Sequence, residues 1–187
     1  MRSPGGTELL RLARRSIEYG LVHGELVPIH YDELSGSLKK PGATFTTLRF
    51  DGELRGCCGT LEAVRPLAKD VTHSAFRAAF RDPRFEPVGE DEFGAIRLEV
   101  SVLSPLESIT VSDEAELLDR LMPGTDGLVI VADGHRATLL PKAWEMLPDP
   151  RQFLATLKAK CGLADDYWSE RLEFQRYRTT SYQESGA

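Results

Sequence analysis

Cysteine and histidine are both scarce: the 187 residues include three Cys and four His. Two of the cysteines are adjacent and none stands in a C-x-x-C pair, so the pattern specifies neither a disulfide framework nor a zinc or thioredoxin-type site. Reduced thiols are the expectation. The histidines show no H-x-H, H-E-x-x-H or facial-triad spacing, and no metal site is expected. Phosphate-binding loops, dinucleotide fingerprints and nucleophile elbows are absent as well. Long apolar runs are also missing. The longest purely aliphatic one, residues 128–132, is far short of the ~20 residues of a membrane helix. The opening Met1-Arg2-Ser3-Pro4-Gly5-Gly6 lacks the apolar stretch of a signal peptide. A cytoplasmic location away from membranes is expected.

The chain is long enough to bury roughly two-thirds of its unfolded surface without metal or disulfide staples. Its formal charge of -6 argues against a general nucleic-acid binder, but the charge is unevenly spread. Residues 55–84 hold five Arg and one Lys against Glu62, Asp70 and Asp82, whereas residues 85–119 hold ten acids against Arg97 alone. Such asymmetry permits a local anion site in an acidic protein, although a charge run is more often a solvated face.

Along the chain, Leu9, Leu10, Leu12, Ala13 and Ile17 fall near a 3.6-residue period. They predict an amphipathic helix over residues 8–19, with Thr7 as cap and Gly20 as stop. Residues 21–40 read as loop. A second helix is expected after Arg65-Pro66, with Leu67, Val71, Ala75, Ala78 and Ala79 as its apolar stripe and Pro83 as its end. Alternation over residues 96–102 predicts an antiparallel strand. Short helices follow at 112–121, from Pro141 and at 152–160, bounded by Gly162. Asp51-Gly52 and Asp133-Gly134 each predict a two-residue hairpin turn. The polar stretch 179–187 reads as a tail.

The densest concentration of chemistry is Leu54-Arg55-Gly56-Cys57-Cys58-Gly59-Thr60, a guanidinium and two thiols framed by glycines. A two-residue turn at Asp51-Gly52 would set Phe50 opposite Glu53, Leu48 opposite Arg55, Thr46 opposite Cys57 and Phe45 opposite Cys58. Arg55 and Cys57 would then share one face, and Cys58 would lie on the other with Phe45 and Leu54. On this reading Cys58 is a small buried hydrophobe, and Cys57 is a candidate for a depressed pKa. Glycines inside a strand mark a bulge or a close approach of ligand or backbone.

The run Leu54-Arg55-Gly56-Cys57-x-Gly59-Thr60 is followed by Ala78-Ala79-Phe80-Arg81-Asp82-Pro83-Arg84-Phe85, then Ser101-Val102-Leu103-Ser104-Pro105. Arg136-Ala137-Thr138-x-Leu140-Pro141-x-x-Trp144 and Lys160-x-Gly162-Leu163 come after. In that order, and over nearly the whole chain, the set resembles the AMMECR domain family, whose prokaryotic members are called AmmeMemoRadiSam system protein A. The resemblance implies an α+β fold, with a mainly antiparallel sheet flanked by helices, a smaller subdomain and a cleft between. It implies a single domain over residues 8–180, or two intertwined subdomains, with tails at 1–7 and 181–187. It also implies association with a Memo-like protein and a radical SAM protein. Cys58 departs from the aliphatic residue common in the family, and Cys161 from its usual Ala.

Three functions follow as expectations. In the first, a component of a multi-protein modification system binds a small anionic ligand or a partner segment, with Leu54, Gly56, Gly59, Thr60, Arg81 and Arg84 as the binding residues. In the second, an independent enzyme uses Cys57 as nucleophile or redox group and Arg55 as charge stabiliser, with His73 or His135 as base. Against these stand a packed thiol at Cys57 and a structural Arg–Asp82 ion pair bracing the Pro83 turn. Nucleic-acid binding, opposed by the overall acidity, is the third. The sequence specifies no cofactor.

Overall fold

A computed structural model describes residues 4–30, 34 and 36–185. Two compact units divide the chain: residues 1–103 with 180–187, and residues 104–179. Each is built on its own four-stranded antiparallel sheet flanked by helices, an α+β arrangement with two sheets.

The first unit contains helix α1 (Pro4–His23), hairpin β1 (Thr44–Phe50) and β2 (Glu53–Gly59), helix α2 (Leu67–Phe80) and the short α3 (Glu90–Phe93). Strands β3 (Arg97–Leu103) and β8 (Thr179–Gln183) complete its sheet, in the order β2-β1-β3-β8. Leu9, Leu12, Ala13 and Ile17 of α1 pack with Val71, Ala75 and Ala78 of α2 onto Leu48, Leu98 and Val100 of the sheet. A fully buried aliphatic side chain of this kind contributes ~1.5–3 kcal/mol.

Helix α1 does not stop at Gly20. A Cβ there would lie 2.4 Å from the Phe80 ring, so this glycine lets α1 and α2 approach, and the helix runs on to His23. Gly24, at φ +69°, then supplies the left-handed terminus. The tail boundaries also move. Residues 4–7 are helical, residues 181–183 lie in β8, and Glu184 accepts two 2.6 Å hydrogen bonds from Arg14. Residues 1–3 and 186–187 of the expected tails, and 31–33 and 35 of the expected loop, fall outside the described residues.

The second unit runs β4 (Glu107–Ile109), α4 (Glu114–Arg120), β5 (Gly127–Ala132), β6 (His135–Leu139), a 3-10 turn (Pro141–Glu145), α5 (Pro150–Lys160) and β7 (Glu173–Tyr177). Its strand order is β4-β7-β5-β6. Leu128, Ile130, Phe153, Leu157 and Phe174 form the core, and Trp144 stacks on Phe153 at 3.8 Å between ring centroids. Both hairpin turns carry the positive φ that Asp-Gly predicts: Asp51 at 50° and Gly52 at 85°, Asp133 at 47° and Gly134 at 82°.

Candidate functional site

Strand β2 is an edge strand, and the Arg-Gly-Cys segment lies at its middle. The register set by the turn holds for Phe50 opposite Glu53 and for Arg49 opposite Leu54. A bulge follows: Arg49 pairs with Leu54 but Leu48 pairs with Gly56, so Arg55 is the extra residue. Beyond it Thr47 stands opposite Cys57, Thr46 opposite Cys58 and Phe45 opposite Gly59. The expected pairing of Cys58 with Phe45, and of Cys57 with Thr46, is therefore shifted by one residue. Helix α2 lies close against this segment. A Cβ on Gly56 would lie 2.2 Å from the Ala78 carbonyl oxygen, so only glycine fits where strand and helix meet. Cys58, half-buried, packs against the hydrophobic core, as expected for a small apolar residue.

Arg55 turns away from the thiols. Its Nε and Nη2 donate to both carboxylate oxygens of Glu92, at 2.8 and 2.6 Å, and its Nη1 donates to the Glu86 carbonyl at 2.9 Å. The guanidinium thus ties the bulge to residues 86–92, and it holds the Glu92 carboxyl below its usual range. The Cys57 thiol accepts a 3.5 Å hydrogen bond from Thr47 Oγ1. Its pKa is raised, not depressed: desolvation dominates, and the Thr47 bond and the charge of Arg84 only partly offset it. The depressed pKa expected from a neighbouring cation fails because burial outweighs charge and because Arg55 is engaged with Glu92. Cys58 is raised for the same leading reason, with Arg77 as the largest opposing influence.

The remaining motif residues are also held internally. The Cys57 amide donates to Asp82 Oδ2 at 2.9 Å, so that carboxylate caps the strand edge. Arg84 grips Asp82 through Nε at 2.9 Å and Nη2 at 2.7 Å, the ion pair that braces the Pro83 turn. These bonds, led by those from the Arg84 side chain, hold the Asp82 carboxyl down to about 2. A Cβ on Gly59 would meet the Thr44 carbonyl oxygen at 2.3 Å and the Phe45 ring at 2.4 Å, so the close approach is the protein's own. Thr60 Oγ1 donates to the fully buried Asp70, which also accepts from the Thr44 amide and hydroxyl. Leu54 is 38% exposed beside the turn.

Arg81 behaves differently. It is exposed at the end of α2, and its side chain makes no hydrogen bond or ion pair among the described residues; the same holds for Arg77. Lys69, His73 and Arg77 recur at every fourth residue along α2, the spacing of a single ridge, with Arg81 at its C-cap and Arg65 ahead of its N-cap. Arg77 was not among the sequence candidates, although this four-residue repeat was there to be counted. His73 on the ridge is kept below its ordinary pKa, by desolvation first and by the charge of Arg65 next, and is neutral at pH 7. His135, the other candidate base, belongs to the second unit. Among the described residues, no group of three or more His, Cys, Asp or Glu is placed to hold a metal ion. No helix among them is long and apolar enough to cross a membrane.

Comparison with known proteins agrees with this architecture. The chain is 36% identical over 181 residues to Protein MJ0810 of Methanocaldococcus jannaschii, covering 96% of this chain and 90% of that one. It is 39% identical over 170 residues to Protein SSO0193 of Saccharolobus solfataricus, covering 87% and 74%. The crystal structure of the uncharacterized protein PH0010 from Pyrococcus horikoshii superposes with a TM-score of 0.91 at 30% identity, covering 98% and 93% of the two chains. The AMMECR1 family model matches residues 10–182, and the chain belongs to that family.

Proposed function

We propose that this protein is a binding component of a multi-protein modification system, as the family resemblance implies, and that its partners include a Memo-like and a radical SAM protein. The anionic ligand or partner segment docks on the α2 ridge beside the motif, with Arg77 and Arg81 as its principal contacts. One observation carries this reading. In a chain of formal charge -6, these two guanidinia stand exposed and unpaired next to a motif whose own polar groups are satisfied internally. Unpaired arginines suit planar carboxylates and phosphates, which they hold bidentately. Leu54, Gly56, Gly59 and Thr60 then act by shaping β2 and α2, and Arg84 by fixing Asp82. The raised Cys57 pKa and the engagement of Arg55 by Glu92 weigh against a thiolate nucleophile stabilised by that arginine. Activity in the cytoplasm completes the reading.

The test is co-purification of tagged protein with Memo-like and radical SAM proteins from the same source, comparing wild type with the double variant Arg77→Glu, Arg81→Glu. Recovery of the partners with wild type, and a drop of about tenfold or more with the charge-reversed variant, is the expected result. Equal recovery with both, or none with either, defeats the reading.

A further inference from the structure

A cleft of about 950 Å³ opens in the first unit, where α1, residues 94–97 and the end of β8 meet. It belongs to a different part of the unit from the motif: none of residues 54–60 lines it. Its size falls within the range of small-molecule sites, about 300–1,000 Å³.

Four arginines line it. Arg14 is spent within the fold: it holds Glu184 with two 2.6 Å bonds, donates to the Ile96 carbonyl at 2.8 Å and lies 5.0 Å over the Phe93 ring. That clamp fixes the back wall. Arg11 and Arg15, one turn apart on the exposed side of α1, make no hydrogen bond or ion pair among the described residues. Arg97, also exposed, reaches only the Gly94 and Ile96 carbonyls, both at 3.4 Å. Three guanidinia without a carboxylate partner among the described residues thus line one concavity, and they outnumber its one exposed carboxylate, Glu18. The first turn of α1 lines it at Gly6 and Thr7, adding the positive end of a 20-residue helix.

The cleft also has apolar lining. Leu10 and the Tyr182 ring line it, and a Cβ on Gly6 would fall 2.1 Å from that ring, so the glycine seats the helix directly on the aromatic face. A lining that combines guanidinia with apolar surface matches a ligand that carries both charge and a ring or chain.

We propose that this cleft binds a small organic anion with at least two negative charges and an apolar moiety, its phosphate or carboxylate groups held by Arg11, Arg15 and Arg97. Titration calorimetry at low salt tests it, with ADP and citrate as anionic probes and adenosine as the uncharged control. At least one anion is expected to bind and adenosine to fail. Arg11→Gln and Arg15→Gln are each expected to weaken binding about tenfold, the effect of losing a charge-assisted hydrogen bond. Both residues are exposed and unpaired, so the variants should fold, which circular dichroism checks. Arg151→Gln, an exposed position on α5 of the second unit, should leave the affinity unchanged. The proposal is overturned if neither anion binds up to roughly 5 mM, if adenosine binds as tightly, if the double variant Arg11→Gln, Arg15→Gln retains binding, or if Arg151→Gln abolishes it.

Discussion

Arg55 holds Glu92 in a two-bond fork, Nε to Oε2 at 2.8 Å and Nη2 to Oε1 at 2.6 Å, across 37 residues of sequence. The most conspicuous cation of the Arg-Gly-Cys motif is thereby committed to bracing residues 86–92. Lysine offers a point charge but no fork, so Arg55→Lys should cost about 1–2 kcal/mol of stability. Denaturant unfolding measures the loss. Hydrogen exchange should show faster opening of residues 86–92, and unchanged exchange there would contradict the bracing role.

Gly56 is expected to tolerate no side chain. Its Cβ would lie 2.2 Å from the Ala78 carbonyl oxygen, and backbone cannot step aside as a flexible side chain can. Gly56→Ala should destabilise by roughly 1–3 kcal/mol, the cost of overpacking. Gly94→Ala is the matched control, because nothing lies within 4 Å and its φ of -63° suits alanine. It should change stability by no more than about 0.5 kcal/mol. Urea midpoints of the two variants check both statements.

Acid should loosen the strand edge at Asp82. Its folded pKa of about 2 lies below the ordinary 3.8, so protonation is disfavoured in the folded state. The stabilisation is complete above about pH 4, shrinks as the pH falls through the window between the two values, and is gone below about pH 2. Its size is at most roughly 2 kcal/mol, reduced by solvent around the half-exposed Arg84. Asp82→Asn should lower stability at pH 7 and flatten the stability profile between pH 4 and 2, as followed by chemical denaturation at stepped pH. A variant with the wild-type acid slope would remove Asp82 from the account.

Asp70 is a buried anchor that the motif shares with α2. It accepts 2.7 Å bonds from the Thr44 amide and hydroxyl and a 3.0 Å bond from Thr60 Oγ1. Asp70→Ala strands the buried Thr44 donor and should cost roughly 2–4 kcal/mol. Thermal unfolding of Asp70→Ala beside Thr60→Ala checks it. The Thr60 variant removes a single bond and should lose distinctly less.

How far the sequence could be read depends on the distance between cause and effect. Asp51-Gly52 and Asp133-Gly134 announced their turns because the required positive φ is a property of those two residues. The register beyond the bulge at Arg55 is not legible locally, since the contact that reserves the next position for glycine is with the Ala78 carbonyl, 22 positions beyond Gly56. Gly20 looked like a helix stop because its role, admitting the Phe80 ring, is invisible locally. The short strand β4 and the strand β8 carried no strong period, and Ser181 and Glu184 find partners far away in sequence, at Ser101 and at Arg14 and Leu98. Nothing in residues 54–60 could show that Arg55 would find Glu92, so the guanidinium and the Cys57 thiol read as a pair. The row Lys69, His73 and Arg77 on α2, by contrast, is legible in its four-residue spacing.

The central claim is that Cys57 is a packed thiol in a brace, with binding proposed instead at Arg77 and Arg81. Iodoacetamide alkylation against pH, on a Cys58→Ala, Cys161→Ala background that leaves Cys57 alone, tests it most directly. The account predicts slow alkylation at pH 7, below that of an unfolded thiol, with the rate rising only above the usual thiol pKa. Rapid alkylation that has already reached its plateau at or below pH 7 would contradict it.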